Sequence, residues 1–167
     1  MPGRDTAPRH FIYPLNPKAA QGYIFKGPEG EAFPTSREAF YPLLDSEDDW
    51  EWGLATGYVK VQAGAMVWAY FTKPEGVIGA VGRVRHDVGW NDSWKKYSII
   101  IDWDLDLTRV LAHQPIPYES YRQRVQAAVN QANPRTVKVL TKWLEQHQVA
   151  SQSKRDQEVA WRTTEVM

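Results

Sequence analysis

The sequence predicts an α+β fold, a small curved β-sheet or barrel with flanking helices. Two observations predict it. Four runs rich in β-branched and aromatic residues follow one another between Gly57 and Trp103, each bounded by Gly, Pro, Asn or Asp. After Pro117 the hydrophobic period changes from that of a strand to that of a helix. The 167 residues suit a single core, because a chain of this length buries roughly 70% of its unfolded surface in one domain.

Residues 1 to 20 hold Pro2, Pro8, Pro14 and Pro17 without sustained periodicity. They read as an N-terminal tail that packs Phe11, Ile12 and Tyr13 onto the body and tolerates removal. The folded domain is expected over 21–148. Tyr23-Ile-Phe25 is a short β-type run closed by Gly27-Pro28, and Thr35 or Ser36 is placed to cap a short helix through Phe40 that Pro42 disturbs. The first run of the sheet is Gly57–Val61, the second Ala65–Thr72, the third Gly76–Val84 and the fourth Lys96–Trp103. Lys73-Pro-Glu-Gly76 has the composition of a hairpin turn, with Pro fixing one φ and Gly free to take a positive one, so the second and third strands should be antiparallel neighbours. Gly76, Gly79 and Gly82 recur too closely for a flat strand and point to bends or to the close approach of another backbone.

Beyond Pro117, Tyr121, Val125, Ala128, Val129 and Ala132 fall on one helical stripe. A further helix starts at Asn133-Pro134, with Asn at the N-cap and Pro in the first turn, and runs through Val137, Leu140 and Leu144. The two helices are expected as a hairpin against the sheet. Residues 151–167 are polar and read as a C-terminal tail.

Charge and composition remove several classes of function. Without cysteine there is no disulfide, thiol nucleophile or thiolate metal site. Twenty basic and twenty acidic side chains cancel, so polyanion binding has to be local. The charges are segregated: Glu29 to Glu51 holds eight acids and only Arg37, while Arg109 to Gln148 holds six basic residues against Glu119 and Glu145. No apolar run reaches the length of a membrane span, and the N-terminus lacks a secretory pattern, so a cytoplasmic protein without membrane contact is expected. The four histidines have no ligand spacing, and neither a nucleophile elbow nor a phosphate loop is present.

Two constellations remain. Asp102, Asp104 and Asp106 alternate at the end of the fourth strand. On one strand face they would hold Mg²⁺ for a nuclease, and otherwise they are solvent-facing partners of Ile101, Trp103, Leu105 and Leu107. The aromatics say more. Trp50 and Trp52 stand two apart before the sheet. Trp68 and Tyr70 stand two apart on the second strand, opposite in face to Val67, Ala69 and Phe71. Together with Thr72 and Arg83 they suit a slot for a planar heterocycle, stacked by rings and read at its edge; alternatively they fill the core.

The order of these pieces resembles the EVE domain of the PUA-like superfamily over about residues 23 to 147. The resemblance is carried by Trp52-Gly53, by Gln62-Ala-Gly-Ala65 leading into Val67-Trp-Ala-Tyr70, by Thr72, and by Gly76-Val-Ile-Gly-Ala-Val-Gly-Arg-Val84. It implies a PUA-like barrel and a non-catalytic reader of a flipped, methylated or otherwise modified base, in DNA by preference or in RNA. Such a reader would serve a modification-dependent restriction or defence system whose nuclease is a partner protein. It further implies a base pocket of Trp50, Trp52, Trp68, Tyr70 and Thr72, phosphate contacts from Arg83, Arg85, Lys95 and Arg135, and no cofactor or metal. The rival functions are the Mg²⁺-dependent nuclease on Asp102, Asp104 and Asp106, a pocket for a free nucleotide, and a protein-binding module using Trp90 and Trp94.

Overall fold

A computed structural model describes residues 8–15, 23–26, 31–34, 36–45, 51–53, 61–92, 96–125 and 129–147. Its strands are β1 (His10–Leu15), β2 (Tyr23–Lys26), β3 (Glu31–Pro34), β4 (Glu51–Gly53), β5 (Met66–Phe71), β6 (Val77–Val84), β7 (Gly89–Asn91), β8 (Lys96–Trp103), β9 (Ile116–Pro117) and β10 (Asn130–Gln131). The helices are α1 (Arg37–Phe40), continued as a 3-10 turn to Asp45, α2 (Leu105–His113) and α3 (134–147). The main sheet runs β10-β1-β5-β6-β8-β4, with β7 also on β8 and β9 on β6; β2 and β3 form a separate hairpin. The pair β1 and β5 is parallel and the other pairs are antiparallel. The molecule is therefore α+β, with a curled mixed sheet and flanking helices.

The curl follows from one contact. β1 and β4 are four strand steps apart, about 19 Å on a flat sheet at ~4.8 Å per step. Yet the rings of Tyr13 on β1 and Trp52 on β4 meet edge to face at 5.8 Å. The face carrying both is the inside of the curl. Phe11, Leu15, Val67, Ala69, Phe71, Ile99 and Ile101 line it, and Phe40 closes it. The outside face carries Ile12, Met66, Trp68, Tyr70, Ile78 and Val81, covered by Leu107 and Leu111 of α2 and by Leu140 and Leu144 of α3.

Two glycines permit the bend. β6 has one extra residue opposite Ala69/Tyr70, a bulge in which Gly79 falls between Ala80 and Ile78. The Gly79 carbonyl accepts from the Tyr41 hydroxyl at 2.9 Å. At Gly82 a Cβ would stand 2.6 Å from the Asp102 carbonyl oxygen and 2.9 Å from the Trp103 Cα, so β8 passes too close for any side chain. The expected hairpin at 73–76 joins β5 to β6, with Gly76 at φ +63°.

Three expectations are corrected. Residues 10–15 are no tail: they form β1, paired on both sides, with Phe11 and Ile12 fully buried. Its partner strand lies more than fifty residues away, which local periodicity cannot register. The chain makes a 3-10 turn at Tyr118–Ser120, and no helix forms over the described part of 121–132. Arg122 takes φ +55°, which interrupts any helix, and Asn130 and Gln131 are extended as a partner of β1. The fourth strand spans Lys96–Trp103 as expected, but Asp104 to Leu107 do not continue its alternation: they cap and begin α2. Of the first run of the sheet, Gly57–Val61, only Val61 is among the described residues, as are none of the proposed C-terminal tail. No helix among the described residues is long and apolar enough to cross a membrane.

Candidate nucleic-acid interface

The aromatic residues first expected in a pocket are distributed over two faces of the sheet. Trp52, 2% exposed, is packed inside the curl among Tyr13, Phe40 and Trp103. Trp68 and Tyr70 do share a face, but it is the outer one. Trp68 is wholly buried, its Nε1 donates to His10 Nδ1 at 3.0 Å, and Trp143 of α3 meets it edge-on at 5.7 Å. Tyr70 packs against Tyr118 and Tyr121. Thr72 is half-buried in the hairpin, where its carbonyl accepts from Glu75 and Gly76. A single pocket walled by Trp52, Trp68 and Tyr70 is therefore not formed. Alternation told which side each ring takes, and the helices that cover that side come from sequence far away. Trp50 lies outside the described residues.

The hydrogen bond at Trp68 fixes the protonation of His10. An indole N–H only donates, so Nδ1 accepts and must carry no proton. Burial, with Arg83 nearby adding positive charge, lowers the His10 pKa and favours this neutral form.

The carboxylates of the nuclease reading also part company. Asp102 faces Arg85, whose Nε donates to Oδ1 at 3.0 Å and Oδ2 at 3.2 Å. Asp104 leaves the strand and caps α2, its Oδ1 accepting from the Leu107 amide at 3.0 Å. Asp106 sits in the first turn of that helix, where a negative charge complements the dipole. The three have separate structural roles, and no group of His, Asp or Glu among the described residues is arranged to hold a metal.

An exposed aromatic ring and several exposed cations lie together at one end of the sheet. β1 and β5 start there and β6 ends there, since His10 pairs with Met66 and Met66 with Arg83. The turn at 62–65 is tied to the segment after β6 by the Ala63 amide, which donates to Asp87 Oδ1 at 2.8 Å. From this joint β7 continues along β8 as a two-stranded ribbon, with Trp90 opposite Tyr97. Val88 and Tyr97 pack against the inner core, and Trp90, two residues beyond Val88, leans edge-on against Tyr97 at 5.2 Å while remaining 55% exposed. Arg9, Arg83, Arg85 and His86 are exposed at the same end. Among the described residues Arg83 makes one hydrogen bond, from Nη1 to the Gly64 carbonyl at 3.3 Å, and Arg85 is matched by Asp102. Of the other expected phosphate ligands, Arg135 is exposed in the first turn of α3 and Lys95 lies outside the described residues. Trp90 had been legible only as a protein-binding surface; its place next to Tyr97 depends on a cross-strand register.

No family model matches the chain, and no curated protein matches it. Among solved structures, the NMR structure of Rpa0253 from Rhodopseudomonas palustris aligns with a TM-score of 0.49 at 10% identity, over 80% of this chain and 91% of the other. The crystal structure of Atu2648 from Agrobacterium tumefaciens aligns with a TM-score of 0.48 at 12% identity, over 78% of this chain and 90% of the other.

Proposed function

We propose that this chain is a non-catalytic nucleic-acid-binding domain that stacks a base on Trp90 at the open end of the sheet and meets phosphates through neighbouring arginines. The observation that carries the reading is the exposure of Trp90 on the paired strands β7 and β8. A large indole held by Tyr97 but 55% open to solvent retains apolar surface for a partner. Every base has a π-face, and stacking on an aromatic side chain contributes about 1–3 kcal/mol per base. Arg9 and Arg83 at the same end add local positive charge that the zero net charge of the chain does not oppose. The base is met at the rim. An extruded base, which costs a few kcal/mol of lost stacking, would be accepted there only if it gained contacts at its edge as well.

The test is anisotropy titration of labelled single-stranded and duplex DNA and RNA, with unmodified, 5-methyl, 5-hydroxymethyl and N6-methyl bases as separate probes. Trp90→Ala should weaken binding by at least ~5-fold, the equivalent of about 1 kcal/mol. Arg83→Gln should weaken all sequences alike and lower the salt slope by about one. Preference for one modified probe would establish base reading. Failure of every probe to bind, or equal affinity of Trp90→Ala and parent, refutes the proposal.

A further inference from the structure

A second cationic surface is built on the other side of the molecule from the inner core. Arg122, Arg124, Arg135, Lys138 and Lys142 are all exposed, and none forms an ion pair among the described residues. On α3, Arg135, Lys138 and Lys142 follow one another at helical spacing over about 10 Å of axis, while Thr136, Leu140 and Leu144 face the core. The described length of this helix holds one acid, Glu145.

The segment carrying Arg122 and Arg124 is clamped to this helix. Gln123, between the two arginines, donates from Nε2 to the Gln131 carbonyl at 2.9 Å and accepts at Oε1 from the Asn133 amide at 2.9 Å. Asn133 in turn caps α3, its Oδ1 accepting from the Thr136 amide at 2.8 Å. Arg122 holds φ +55° with its amide bonded to the Tyr118 carbonyl at 2.8 Å, a left-handed conformation at a residue with no glycine to ease it. Both hydrogen bonds of the Gln123 side chain thus serve to fix the chain between two exposed arginines beside the start of a basic helix.

We infer that the 122–124 segment and α3 form a surface for the phosphates of a nucleic-acid duplex, extending the contact beyond the base met at Trp90; this rests on the nucleic-acid reading above. A duplex presents a charge every ~1.7 Å of axis, so 10 Å of helix faces several phosphates. An anionic membrane is the poorer fit. An interfacial helix needs an apolar face to insert, and the apolar residues of α3 are turned into the core; the large exposed hydrophobics among the described residues are Trp90 and Leu105.

The experiment measures binding of an unmodified 20-base-pair duplex from 50 to 200 mM salt. The triple variant Arg135→Gln, Lys138→Gln, Lys142→Gln should lower the slope of log affinity against log salt by about 2.7. Its affinity loss across that range is then smaller than the parent's by about 40-fold. The double variant Arg122→Gln, Arg124→Gln should lower the slope by about 1.8. A triple variant with the parental slope overturns the inference while leaving intact a reading in which Trp90→Ala still weakens binding. A parent that binds no nucleic acid removes both. Capture of the parent by phosphatidylserine vesicles, lost in the triple variant, without duplex binding, assigns the surface to membranes and overturns the inference.

Discussion

Mild acid should destabilise this protein through His10. The ring is 6% exposed and its Nδ1 accepts the Trp68 indole N–H, so the fold holds the neutral form and its pKa lies below the ordinary 6.5. The sign follows from proton counting. Above pH 6.5 the histidine is neutral in folded and unfolded chains alike. Below it the unfolded chain takes up a proton that the folded one refuses, so stability falls at up to about 1.4 kcal/mol per pH unit until the folded pKa is reached. Between pH 7 and 5.5 this amounts to no more than about 1.3 kcal/mol, or some 3–5 °C in Tm for a domain of this size. His10→Asn is the control, because an amide oxygen at the position of Nδ1 can still accept from Trp68 and does not titrate. Thermal melts of both proteins from pH 7.5 to 5.5 should converge on acidification, since the other histidines contribute equally to each. Parallel curves, or a parent that gains on the variant as pH falls, would refute the assignment of a neutral, buried His10.

Three further outcomes test the fold. Deleting residues 1–15 should abolish cooperative unfolding. It exposes the flank of β5 and removes Phe11, Ile12, Tyr13 and Leu15, whose burial stabilises by roughly 6–12 kcal/mol, comparable to the ~5–15 kcal/mol of a whole domain; a cooperative near-native melt of the shortened chain would sink this. Gly82→Ala should cost about 3 kcal/mol or more in denaturant unfolding, since its Cβ would press on β8 backbone that cannot rotate away; a loss below 1 kcal/mol would contradict the strand spacing. Tyr121→Phe should leave Tm unchanged or raise it by a few degrees. The Tyr121 hydroxyl is buried without a hydrogen-bond partner among the described residues, so its removal relieves a desolvation cost of about 1–3 kcal/mol while the ring keeps its contacts. A marked drop in Tm would show that the hydroxyl is satisfied.

The parts of this molecule legible without coordinates are those decided within a few neighbouring residues. The β5–β6 hairpin follows from Pro74 and Gly76, the start of α3 from Asn133, and the opposite facing of Trp68 and Phe71 from the period of a strand. α2 was legible too, in Asp104 followed by Leu107, Thr108 and Leu111, but the alternation of Asp and Leu at 104–107 imitates a strand and concealed it. Even the exposed indole of Trp90 was visible as a residue, though not as one member of a cross-strand pair.

The tertiary structure alone decided what covers each face and which distant segments meet. Pro14 and its neighbours look like a tail until β5 supplies a parallel partner, and Tyr121, Val129 and Ala132 look helical until β1 needs an edge filled. Trp52, Trp68 and Tyr70 look available until the curl and α3 enclose them. Local sequence sets backbone preference and the side to which a side chain points. Burial depends on contacts between residues far apart in the chain, whose combined free energy exceeds the fraction of a kcal/mol by which propensity favours one local conformation over another.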